Sequence, residues 1–81
     1  MMILIDVLVP PLDEIFDFEV DETIDAQRLR KDVEGLIENK RKVKFSTSGR
    51  ELFLYREGEF LKEQGSLKSQ GLINGDRLIL I

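Results

Sequence analysis

The chain has 81 residues, formal net charge −4, no cysteine and no histidine. That length implies a single domain over residues 1–81 with one core. Missing Cys and His exclude disulfides, thiolate or zinc sites and His-dependent triads, and no cofactor site is expected.

Charge is distributed unevenly. Residues 1–27 carry eight acidic side chains and no basic one, whereas residues 28–50 carry eight basic side chains against Asp32, Glu34 and Glu38. Such asymmetry either marks two oppositely charged surfaces that would orient a partner, or sorts solvated charges by element. Met1–Val9 is apolar but has no basic leader and no small-residue cleavage site, and it is too short to span a bilayer. No signal peptide or membrane insertion is expected, and the cytoplasm is the expected location.

Ile3–Val9 reads as a strand with Ile3, Ile5, Val7 and Val9 on one face. Pro10-Pro11-Leu12-Asp13 ends it, because proline cannot donate to a ladder. Ile15–Val20 alternates, with Phe16, Phe18 and Val20 inward and Asp17 and Glu19 toward solvent, so the two strands make a hairpin. Asp21-Glu22-Thr23 opens a helix with Thr23 as the expected N-cap. Ala26, Leu29, Val33, Leu36 and Ile37 form its apolar stripe, and Gly35 is expected to allow close approach to the sheet.

Lys40, Arg41 and Lys42 suit the negative end of that helix. A nucleic-acid patch over Lys40–Lys44 is the alternative, but it would ordinarily carry more basic charge or stacking aromatics, and only Phe45 is adjacent. Ser46–Gly49 reads as a loop tip. Leu52–Tyr55 is the third strand, Glu57-Gly58 a turn, Phe60-Leu61 a short return strand and Glu63–Ser66 a further turn. A brief helical or irregular segment leads from Ser66-Leu67 to Leu72. Asn74-Gly75-Asp76 then turns the chain into Arg77–Ile81, four of whose five residues are Leu or Ile, as expected of a central strand. The order β-β-α-β-β-β implies a two-layer α+β domain.

Carboxylates offer the remaining route to catalysis or metal binding. Asp13-Glu14 and Asp21, Glu22 and Asp25 fall at turns and a helix start, where capping and solvation account for them. No catalytic or metal residue is assigned.

The spacing Leu67-(x)₃-Gly71-Leu72-(x)₂-Gly75-Asp76-x-Leu78-x-Leu80, after a hairpin and a helix opened by Thr23-Ile24, resembles the ubiquitin-like β-grasp family over nearly the whole chain. The Asn-Gly-Asp-Arg-Leu ending looks like the YukD/EsaB-type bacterial ubiquitin-like proteins, which are associated with type VII (WXG-type) secretion. A related domain forms a cytosolic part of a membrane component in such systems. The resemblance implies a mixed sheet packed on one helix, with the first, last and third strands adjacent, and a non-enzymatic protein-interaction module. Modifiers and sulfur carriers of this fold end in Gly-Gly, whereas no Gly-Gly occurs here and Ile81 is expected to belong to the last strand. Conjugation is therefore not expected; the alternative is a modifier or carrier whose Gly-Gly tail is missing from this sequence.

With Leu52, Leu54, Leu78 and Leu80 inward, Leu4, Leu8, Phe53, Tyr55, Ile79 and Ile81 point outward and form an apolar interaction face. A one-residue slip in the third strand would instead bury Phe53 and Tyr55 and expose Leu52 and Leu54. The expected partner is a protein, a type VII secretion component or a second copy bound through this face, and no nucleic acid is expected.

Overall fold

The structure, a computed structural model, describes residues 1–45 and 50–81. The expected loop tip Ser46–Gly49 lies outside the described residues. Strand β1 (Met2–Val9) runs into a 3-10 turn at Pro10–Leu12, then β2 (Glu14–Asp21) returns antiparallel to it. Asp13 turns the chain at φ 52°, and its N–H donates to the Pro10 carbonyl at 3.0 Å. Aspartate tolerates this left-handed geometry better than most residues.

Helix α1 (Ala26–Arg41) crosses the sheet before β3 (Leu52–Leu54), β4 (Glu59–Phe60) and β5 (Asp76–Leu80). The sheet order is β2-β1-β5-β3-β4. β5 pairs in parallel with β1 and antiparallel with β3, so the last strand is central, as its double-sided apolar composition predicts.

Residues Ile3, Ile5, Val7 and Val9 of β1 join Leu52, Leu54, Leu78 and Leu80 on the inner face. Ala26, Leu29, Val33 and Ile37 cover them from α1, while Leu61, Leu67 and Leu72 belong to the same core cluster. This parity resolves the register of the third strand: Leu52 and Leu54 are buried and Phe53 alternates to the other face. The Leu67 N–H donates to the Ile24 carbonyl at 2.9 Å and the Lys68 N–H to Glu22 at 2.9 Å, tying this segment to the helix entry.

Several local expectations are corrected. The helix is capped by Asp25, whose carboxylate accepts the Arg28 N–H at 2.9 Å; Thr23 instead donates its N–H and hydroxyl to Asp21. An Asp side chain at position 21 reaches Thr23 locally and delays the helix by two residues. Asp25→Ala should therefore lower stability by about 1 kcal/mol, and Thr23→Ala by less, in urea unfolding. Equal losses would return the cap to Thr23.

Leu36 lies off the buried stripe and is exposed, because positions 29, 33 and 37 already occupy the face toward the sheet. Gly35 is also exposed, and an added Cβ would meet nothing within 4 Å, so no close approach requires it. Strand β3 stops at Leu54 because residues 55–58 turn, with the Gly58 N–H donating to the Leu54 carbonyl at 2.9 Å. β4 begins one residue early, at Glu59, and leaves Leu61 beyond its end, buried in the core.

Asp76 is not the last residue of the turn but the buried first residue of β5. Its carboxylate accepts from Arg56 Nε at 2.8 Å and from the Ile73 N–H at 2.9 Å.

Candidate functional site

Register assembles the candidate surface on the sheet face opposite α1. Leu8 of β1 stands opposite Ile79 of β5, Ile79 opposite Phe53 of β3, and Phe53 opposite Phe60 of β4. In the other direction Leu8 faces Ile15 of β2. Ile15, Leu8, Ile79, Phe53 and Phe60 thus form one apolar row across all five strands. Cross-strand neighbours on one face stand about 5 Å apart, close enough for side chains to touch. The Phe53 and Phe60 rings do so, edge to face, with centroids 5.1 Å apart at 76°.

Leu8, Phe53 and Ile79 are half-buried in this row, while Ile15 and Phe60 are 48% and 49% exposed at its ends. Of the six residues expected from the sequence, those first three are brought together. Leu4 lies four residues back along β1 from Leu8, on the same face, and is 53% exposed. Its backbone is held by the loop before β5: the Leu4 N–H donates to Asn74 Oδ1 at 2.8 Å, and its carbonyl accepts the Gly75 N–H at 2.7 Å. Gly75 takes φ 91°, a conformation that side chains rarely adopt, so the Asn-Gly pair extends the β1–β5 contact before the strand begins.

Tyr55 is exposed just past β3, with its N–H on the Arg77 carbonyl at 3.1 Å, and Ile81 is exposed past β5, hydrogen-bonded through its N–H and carbonyl to Glu51. Both flank the row. Ile15 and Phe60 are the members that sequence reasoning missed. Ile15 is out of phase with Phe16, Phe18 and Val20, a signal that already assigns it to the outer face. Phe60 was obscured by the shifted start of its two-residue strand.

A charged row adjoins the apolar one. Asp6 of β1 stands directly opposite Asp17 of β2 and beside Arg77 of β5, whose Nη2 lies 3.2 Å from Asp6 Oδ2. Hydrogen bonding to Asp17 and to the Arg77 guanidinium holds the Asp6 carboxyl below the ordinary carboxylate range. Asp17, sharing that hydrogen bond and facing the Asp6 charge, is pushed above it. Glu19 continues the acidic side, opposite Leu4. Elsewhere the carboxylates have structural duties: Asp21 and Asp25 accept local N–H groups, and Glu14 pairs with Arg41. Among the described residues no group of three or more acidic side chains is placed to hold a metal ion.

No family model matches the sequence, and no curated protein matches it. Solved structures do match. A ubiquitin of Caldiarchaeum subterraneum superposes with TM-score 0.75 at 21% identity, covering 100% of this chain and 92% of that one. The EccD5 ubiquitin-like domain from Mycobacterium xenopi gives 0.73 at 20% identity, covering 100% and 93%. A chain of a MycP5-free ESX-5 inner membrane complex gives 0.70 at 20% identity, covering 99% of this chain and 20% of that one. One helix packed on a mixed five-stranded sheet is therefore the ubiquitin-like β-grasp fold, of the α+β class. Among the described residues no helix is long and apolar enough to cross a membrane.

Proposed function

We propose that this protein is a non-enzymatic, ubiquitin-like interaction module that serves as a cytoplasmic accessory of a bacterial type VII secretion system. It docks on a protein component of that machine through the outer sheet face. The observation that carries the docking surface is the five-strand apolar row, since monomers seldom display a continuous apolar patch without a use. Aromatic residues at its centre suit an interface core. The secretion context rests on the likeness to the EccD5 domain and to the ESX-5 membrane-complex chain, together with the Asn74–Leu78 ending.

Phe53→Asp tests the docking face. The side chain is half-buried on the outer face, outside the core, so the variant should fold despite losing the Phe53–Phe60 ring pair, worth roughly 1 kcal/mol. In a host strain lacking the protein, export of the small helical WXG-motif substrates should stop, and the wild-type gene should restore it. Phe53→Asp, folded by circular dichroism, should not. Full restoration by Phe53→Asp would remove the sheet face from the function, and unchanged export in the deletion strain would remove the secretion assignment.

A further inference from the structure

The outer face has two halves, and their juxtaposition selects a partner. Beside the apolar row, Asp6, Asp17 and Glu19 share the β1–β2 half with Leu4, and Arg77 is the cation set among them. Arg77 is engaged by Asp6, while Asp17 and Glu19 are exposed and form no ion pair among the described residues. Asp6 and Asp17 stand directly across the antiparallel pair, an arrangement that is unfavourable for two like charges. The upward push on the Asp17 carboxyl is consistent with that crowding.

Resting on the sheet-face reading above, we propose that the occupant of this face is a basic-flanked apolar segment of another protein. Its apolar side chains lie on Leu8, Ile79 and Phe53, and a Lys or Arg beside them sits over Asp17 and Glu19. Two residues along a strand span about 7 Å, so Asp6 and Asp17 border the apolar row within one long side chain's reach, and Glu19 stands one such step further along β2, opposite Leu4. A cation placed there relieves the Asp6–Asp17 repulsion as well as gaining its own attraction. This gives the acidic N-terminal third of the sequence a use: β1 and β2 display part of it on the docking face.

A second copy is the poorer occupant. Its matching face brings the same excess of carboxylates over Arg77, so self-pairing sets like charge against like. The protein should therefore remain monomeric in sedimentation experiments.

The test uses isotope-labelled full chain and two synthetic peptides that share one Leu/Phe core, one flanked by Lys and the other by Glu. The Lys-flanked peptide should shift the amide resonances of Leu8, Phe53, Ile79, Asp17 and Glu19. It should bind about three- to tenfold more tightly than the Glu-flanked one, the sum expected of two exposed ion pairs. That advantage should shrink at high salt and vanish in the Asp17→Asn, Glu19→Gln double variant, whose exposed positions leave folding intact. Equal affinities, or preference for the Glu-flanked peptide, with shifts centred on Leu8 and Ile79, would overturn this inference and leave the sheet-face reading standing. Absence of shifts on that face with either peptide would overturn both. A dimer broken by Phe53→Asp would make the second copy the occupant instead.

Discussion

Leu78→Ala should lower the free energy of unfolding by about 3–5 kcal/mol, as for truncation of a fully buried leucine. Leu78 is fully buried in β5, opposite Val7 on the parallel side and Leu54 on the antiparallel side. Truncating it removes apolar contacts on three sides and opens a cavity that two hydrogen-bonded neighbours prevent from collapsing. Domains of this size have about 4–12 kcal/mol in total, so the variant should be partly unfolded at physiological temperature. Urea unfolding followed by circular dichroism measures the loss. Ile79→Ala, one residue along and on the outer face, supplies the control and should cost much less. Similar losses at the two positions would mean that the outer row is packed as tightly as the core.

Most of the frame was legible because period-2 alternation is a strong signal when strands are long. Ile3, Ile5, Val7 and Val9 announced the inner face of β1, and Asn74-Gly75 followed by an apolar run announced the central strand. What escaped was short or depended on remote partners. β4 has two residues, too few to show any period. Thr23 and Asp25 are both cap-forming residue types, and the engagement of Thr23 by the Asp21 side chain shows only in the structure. Leu36 fits a helical stripe loosely, and its exposure follows from the angular width of the face that one sheet can cover. The outer row was half-read: side-chain parity gave Leu8, Phe53 and Ile79, whereas Ile15 and Phe60 join them only through pairing. Asp76 was the deepest miss, because its partner Arg56 is twenty positions away and the intervening chain carries no periodic pattern.

That aspartate yields the second large effect. Its side chain is 4% exposed and accepts from Arg56 Nε at 2.8 Å, Arg56 Nη2 at 3.1 Å and the Ile73 N–H at 2.9 Å. Arg56 Nη2 also reaches the Gly71 carbonyl at 2.8 Å, so the residues after β3 are clasped to the loop that launches β5. Asp76→Ala strands the Ile73 N–H and frees the guanidinium, at a cost of about 2–4 kcal/mol. Asp76→Asn can still accept the Ile73 N–H but turns an amide donor toward Arg56, and should recover only part of that.

The pH response identifies the cause. Burial pushes the Asp76 carboxyl up, but hydrogen bonds from Arg56 and Ile73 and the Arg56 charge outweigh it, leaving the group below its ordinary value. The unfolded chain therefore binds this proton first as pH falls. The stabilisation is complete above the unfolded value, about 3.9, and is lost as pH drops through the lower folded value. Asp76→Asn should flatten this part of the acid limb, with the wild-type-minus-variant difference shrinking between about pH 5 and pH 2. Arg56→Ala acts the other way on the same group: burial then dominates, the carboxyl rises, and its contribution weakens as pH increases instead. Urea midpoints measured across this range should show opposite slopes for Arg56→Ala and wild type once the other carboxylates, common to both, are subtracted. Parallel curves for wild type and Asp76→Asn would show that the buried carboxylate contributes shape to the β5 entry and no charge.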